Sequence, residues 1–479
     1  MDMRKFLKSL EEEGRLLRIR GRVGAREAAV LAKLLLSERR MALLLEDVEG
    51  REVRACTGLF LREGDVAAAL GLEELGDLDK RVDALIGAGV ALSSLERIAI
   101  LAKLSELASM MPRLVEKAPV MARVLEGDDA SLAILPAFKF WPSEASPSIT
   151  CGVVIAGDGD GGYVVASTRL QILEDDVACI HVARPSPLAR VVEGAERRGE
   201  EVPAAVILSP PLPMLLASRM PQLGGVDPYA LASAIAGGGM PFFREPELGL
   251  YVPAEAEVVL TGYIDPGDKR AEGPLGWPSG FYSPPQLQPA FHLSKVYMRD
   301  DAVVYFTLPY RGRFDEYWIQ RTVDRLLSRV YSRLIPGVVR VATHPPELGR
   351  ILVVAVDKKG AGRGRLAAMA LAGMLPSPYI KLIVTVDPWV RVEDAGEVLW
   401  ALATNVDPER DVVKLRGVQA DELDSPASGG ELRALICVDA TCKTREELGR
   451  EPPPRLESLK EMEERVRAML PELLEALGG

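Results

Sequence analysis

The middle third of this chain leaves it few folds to adopt, because segments of strand length follow one another there with turn residues between them. Ser148–Ala156, Gly162–Ala166, Arg169–Leu173 and Val177–Ala183 come in succession, and Val202–Leu208, Glu255–Tyr263, Leu293–Met298 and Val303–Leu308 follow. Strands this short and numerous predict a β-barrel-like module decorated with helices such as Pro228–Ala236. The Gly-Asp-Gly-Asp-Gly-Gly run at 157–162 has the acids of a calcium loop. It lacks the later Glu and the flanking helices of such a site, so a hairpin turn is expected.

The flanks read differently. Arg4–Glu13 places Phe6, Leu7 and Leu10 on one helical face and stops at Gly14; helix Arg26–Ser37 and a short strand, Met41–Glu46, follow. Ser93–Val124 carries apolar helical runs broken at Pro112 and Pro119. From Phe314, helix alternates with strand: helix Asp315–Arg333, strands Gly337–Ala342 and Leu352–Asp357, and helix Arg365–Leu375. Strand Ile380–Val386, helix Val392–Thr404 and strand Asp411–Leu415 then complete an open α/β pattern. Beyond Pro452–Pro454, helix Arg455–Leu477 spaces Leu456, Leu459, Met462 and Val466 for docking on a neighbour or another subunit. The expected organisation is a helical α/β segment (1–125), a barrel-like domain (126–310), an α/β domain (311–450) and an oligomerisation helix (451–479), a mixed α/β chain overall.

A net charge of −11 argues against nucleic acid as partner, because phosphate backbones demand clustered Lys and Arg. Apolar runs such as Met41–Leu45 and Ile351–Val356 are too short to span a bilayer, and no leader is visible, so a cytoplasmic protein is expected. Five scattered cysteines, Cys437 and Cys442 being five apart, read as reduced thiols rather than a zinc or disulfide framework. Asn405 is the single asparagine, His181, His292 and His344 are the only histidines, and Arg, Glu and loop prolines abound, a thermophile's pattern.

Several ordered motifs remain. They are Trp400-Ala-Leu-Ala-Thr-Asn-Val-Asp-Pro-Glu-Arg-Asp411, Leu423-Asp-Ser-Pro-Ala-Ser428, Val438-Asp-Ala-Thr441 with Lys443, Val252-Pro-Ala-Glu-Ala-Glu-Val-Val-Leu-Thr-Gly-Tyr263, Ala271-Glu-Gly-Pro-Leu-Gly276 and Ser218-Arg-Met-Pro221. Met3-Arg-Lys-Phe-Leu7 and Glu13-Gly-Arg-Leu16 open the chain. Together they resemble, across nearly the whole length, the UbiD family of prenylated-flavin decarboxylases. The resemblance implies a flavin-reductase-like split β-barrel in the centre and non-oxidative decarboxylation of an unsaturated or aromatic acid on prenylated FMN. It implies that Arg169 anchors the carboxylate and that Glu272 donates the proton, its pKa raised by desolvation. It further implies that Ser218, Met220 and Lys381 lie beside the flavin. Taken alone, Arg169 reads as a surface ion-pair arginine and Glu272 as a solvated turn glutamate.

The resemblance breaks in two places. The family's second acid position is Trp277, whose indole can only donate, so it is expected to line the substrate pocket or to plug a vacated site. The family's Asn, His and Glu metal ligands fall at Val164, near Pro185 and at Pro228, which have no donor atoms, so a divalent metal such as Mn is not expected. His181 and Asp227 lie near those positions, where a core histidine and a helix N-cap are the plainer readings. The basic glycine-rich run Lys358–Arg365 precedes a helix and could hold a phosphate. The rival to the enzyme is a non-catalytic paralogue serving as a structural or regulatory subunit beside an active relative; a homo-oligomer is the other expected assembly.

Overall fold

A computed structural model describes residues 2–90, 104–221, 226–374, 379–419, 432–454 and scattered positions between 456 and 470. The segment Leu423–Ser428 and most of the terminal helix expected at Arg455–Leu477 lie outside the described residues.

Six strands form the centre: β1 (Ser148–Gly157), β2 (Tyr163–Ile172), β3 (Val177–Ile180), β4 (Val202–Leu208), β5 (Val258–Glu272) and β6 (Gln286–Met298). They pair antiparallel in the order β5-β4-β1-β2-β3-β6, and β6 returns to β5, closing a barrel with no free edge between them. Alternation along the strands sorts side chains into two sets. Val154, Leu170, Ala178, Val206, Leu260 and Phe291 fill the interior, whereas Val153, Val165, Ile207 and Val259 pack outward against helices. The glycine-rich run makes the expected β1–β2 hairpin, with the Asp158 carboxylate accepting from the Asp160 and Gly162 N–H groups at 2.9 and 2.8 Å.

Three boundaries differ from expectation in ways that matter for the site. Gly162–Ala166 and Arg169–Leu173 are one continuous strand, β2, because the polar pair Ser167–Thr168 stays in the ladder opposite Val153 and Gly152. Strand β3 stops at Ile180, so His181 leaves the ladder although its N–H still reaches the Arg169 carbonyl at 3.0 Å. Polar residues from Asp265 to Arg270 hide a long continuation of β5, which runs through a bulge to end at Glu272, opposite Gln286.

The N-terminal sheet pairs Leu16–Val23, Ala42–Val48 and Arg54–Thr57 with Val303–Tyr305, which follows the barrel in sequence. Helix Asp315–Leu334 is tied to helix Leu78–Gly89 by ion pairs of Arg325 with Asp79 and Arg329 with Asp83. The C-terminal domain is a five-stranded sheet in the order Val338–His344, Ile351–Val356, Leu382–Val386, Leu432–Asp439, Val412–Gln419, its three central strands parallel. No helix among the described residues is long and apolar enough to cross a membrane.

The glycine-rich basic turn does not present a free anion site. The Lys358 ammonium is buried against Glu447 at 2.5 Å, Thr441 Oγ1 at 3.0 Å and the Cys442 carbonyl at 3.1 Å. Glu447 itself accepts from the Gly362 N–H at 2.8 Å, so a carboxylate of the same chain occupies the position expected for a phosphate.

Candidate active site

Arg169 sits two residues after Ser167 on β2 and shares its outward side of the barrel. Its guanidinium is buried and already engaged. Nη1 donates to the Gly276 carbonyl at 2.8 Å, Nη2 to Ser148 Oγ at 3.0 Å and to Glu144 Oε1 at 3.4 Å, and Nε to Ser148 Oγ at 3.3 Å. Among the described residues these four bonds leave one of its five N–H donors uncommitted. Burial lowers the guanidinium's affinity for its proton, and Glu144 and Glu272 only partly offset this.

Glu144 is the organising carboxylate. It accepts from the Phe140 and Trp141 N–H groups at 2.6 and 3.2 Å through Oε2, and from the Gly276 N–H at 3.0 Å through Oε1. The loop carrying Glu272 is therefore fixed through its backbone. Gly273 N–H reaches Gln171 at 2.7 Å, Leu275 N–H reaches Ser283 at 3.1 Å, and Gly276 is held by both Glu144 and Arg169. Two glycines are required here. Gly273 has φ +86°, and a Cβ on Gly276 would lie 2.0 Å from the Trp141 ring.

Glu272 is buried at the end of β5, with Oε2 2.8 Å from His181 Nδ1 and 3.0 Å from Gln286 Nε2. The expectation of a raised pKa is corrected. Burial does push the carboxyl up, but His181, Gln286 and Arg169 together outweigh it and hold it below the ordinary carboxylate range. Trp277 roofs the cluster, its ring centroid 5.3 Å from the Arg169 Cζ and 5.4 Å from the His181 ring. It is half-buried rather than enclosed, as a complete plug would require. Trp277→Ala should therefore cost about 1–2 kcal/mol, in the range of a partly desolvated cation–π contact, measured by denaturant unfolding.

The structure thus brings Arg169, Glu272 and Trp277 together and adds His181, which sequence reasoning placed in the core, and Glu144, which it passed over. His181 is buried, as expected of a core histidine, but it is aimed at Glu272. Glu144 lies in the loop before β1, and nothing in the run Trp141-Pro-Ser-Glu-Ala-Ser-Pro-Ser148 separates it from a solvated loop glutamate. Ser218 Oγ contacts Ser167 Oγ at 2.8 Å, joining the turn that carries Met220 to β2. Met220 and Pro228 line one small hollow. Lys381 instead lies in the C-terminal domain just before strand Leu382–Val386, its backbone bonded to Arg350 and Ile436.

The metal does not fit. Val164 lies within β2, Pro185 is exposed, and Pro228 opens helix Pro228–Ala236, whose N-cap Asp227 accepts from Ala230 N–H at 2.8 Å. Asp227 also accepts from the Tyr163 hydroxyl. Among the described residues no group of three His, Cys, Asp or Glu side chains could hold a metal ion. A flavin fits better. Glu272 Oε1 and Trp277 Nε1 are buried with no hydrogen-bond partner among the described residues, one acceptor and one donor awaiting a polar-edged planar molecule.

Comparison with known proteins agrees with this architecture. Residues 7–85, 113–312 and 317–440 match the N-terminal, Rift-related and C-terminal domains of 3-octaprenyl-4-hydroxybenzoate carboxy-lyase. An uncharacterised protein of Aquifex aeolicus is 31% identical over 97% of this chain and 97% of its own. One from Aeropyrum pernix is 30% identical over 94% of this chain and 93% of its own. The UbiD-class enzyme HmfF of Pelotomaculum thermopropionicum, solved with FMN, superposes with a TM-score of 0.76 at 27% identity, covering 96% of this chain and 98% of HmfF. The vanillic acid decarboxylase of Sedimentibacter hydroxybenzoicus in closed form superposes at 0.82 over 98% of both chains; at 23% identity it shows the fold alone.

Proposed function

Since this chain belongs to the UbiD family of carboxy-lyases, we propose that it decarboxylates an unsaturated or aromatic acid with a prenylated flavin bound. The observation that carries the reading is the convergence of Arg169, Glu272 and Trp277 in one buried cluster on the outer side of the barrel.

The net change is loss of CO₂ from a carboxylate and gain of one proton at the same carbon. A prenylated flavin, when bound, supplies the electron sink for the pair left as the C–C bond breaks. Arg169 draws the acid by charge and by its uncommitted N–H; full bidentate pairing requires Ser148 or Glu144 to yield its place. Glu272 Oε1 is the atom from which the proton reaches carbon, and Trp277 keeps water from the pair.

Protein co-expressed with a flavin prenyltransferase should carry a flavin absorbance band and release CO₂ from at least one acid in a panel of hydroxybenzoic, furoic and α,β-unsaturated acids. A second reading, a non-catalytic subunit, draws on Val164, Pro185 and Pro228 standing where the resemblance places metal ligands. Chain that takes up no flavin under that co-expression would favour it.

A further inference from the structure

The buried group that this mechanism leaves idle is His181. It sits just past the end of β3, and its Nδ1 lies 2.8 Å from Glu272 Oε2. An ionised carboxylate can only accept, so the bond needs its proton on the imidazole nitrogen. Oε1, the other oxygen of the same carboxylate, is the buried atom with no partner among the described residues. The pair therefore has a proton at its inner end and an open acceptor at its outer end.

We propose that His181 and Glu272 are a single proton-holding unit, in which His181 stores the proton that Glu272 passes on. This rests on the decarboxylase reading for its use in turnover. One proton moves per cycle. The Nδ1–H bond breaks as an O–H forms on Glu272 Oε2; rotation of the carboxyl about Cγ–Cδ exchanges its two oxygens and turns that O–H outward, where it breaks as the C–H bond forms at the carbon CO₂ has left. Solvent returns the proton to the imidazole. Among the described residues, the charged and titratable groups facing the unit are Arg169 on β2 and Cys179 on β3, with Glu144 behind Arg169 and with Asp268 and Arg270 of β5 acting on Cys179. Burial pushes the Cys179 thiol up to about 12, which leaves it neutral.

Only three histidines exist in the chain, so their ring nitrogens resolve in a ¹⁵N-histidine-labelled NMR titration of the full-length protein. His181→Gln assigns the signal, and His292 and His344 report that each variant is folded. In the wild type, His181 should stay doubly protonated to a pH about 1–3 units higher than in Glu272→Gln, the usual effect of an adjacent carboxylate. The other two histidines should not move. Equal His181 midpoints in the two proteins, or a wild-type Nδ1 that carries no proton where Glu272 is ionised, would overturn the unit.

In flavin-loaded enzyme, His181→Gln should move the alkaline limb of kcat at least one unit to lower pH with KM and flavin content unchanged. An unmoved limb contradicts the proton-storing role. If the histidine titration is coupled to Glu272 but no acid is turned over by the wild type, the decarboxylase reading fails and the pair stands. If acid is turned over but the titrations are uncoupled, the pair fails and the decarboxylase reading stands.

Discussion

Glu272→Gln should lower turnover by ~10²–10⁴-fold, the usual worth of a positioned general acid, with bound flavin retained. The amide keeps the shape of the carboxyl group and can still accept from Gln286, so the loop from Gly273 to Gly276 stays fixed by Gln171, Ser283 and Glu144. What it cannot do is take a proton from His181 and release it again. The substitution has a second signature in stability against pH. Because the folded carboxyl is held below its ordinary value of 4.5, its contribution is full above that pH and is lost as pH falls below it. Glu272→Gln should remove that acid-side loss, read from unfolding midpoints at pH 3 and pH 7. Full turnover in this variant would show that the proton comes from elsewhere.

Arg169→Met should cost about 3 kcal/mol of stability and abolish turnover, the largest structural effect expected at the site. Removing the guanidinium leaves the Glu144 carboxylate buried without its cation and strips partners from Ser148 and the Gly276 carbonyl. The three backbone N–H groups that still hold Glu144 keep the cost at the low end of the buried-pair range. Arg169→Lys should recover part of the stability and little activity, since an ammonium cannot span Ser148, Glu144 and Gly276 at once. Urea unfolding of the three proteins side by side measures this, and a methionine variant as stable as wild type would mean that the cluster contributes nothing to the fold.

Which features could be read from the sequence follows from where each residue's partner lies. The barrel announced itself because hairpins such as β1–β2 join segments of strand length that lie close in sequence across a glycine-rich turn. The far half of β5 was hidden because Asp265, Asp268, Lys269 and Arg270 put polar side chains on both of its faces, although burial still alternates along it. Arg169 and Glu272 could be picked out only through motif resemblance. Their geometry depends on Glu144, 25 residues before Arg169, and His181, 91 residues before Glu272. His181 stands between Ile180 and Val182, so its neighbours advertise burial and say nothing of what the ring faces. The counter-charge of the basic turn at Lys358 was out of sight for the same reason, since Glu447 arrives from 89 residues away.

If Glu272 delivers the proton that replaces CO₂, the isotopic content of the product formed in D₂O must report it. The measurement uses flavin-loaded protein and whichever acid releases CO₂. The predicted product carries one deuterium, at the carbon that bore the carboxylate, and forms at a rate that collapses in Glu272→Gln. Product formed by Glu272→Gln at the wild-type rate, with the same deuterium at that carbon, would contradict the assignment.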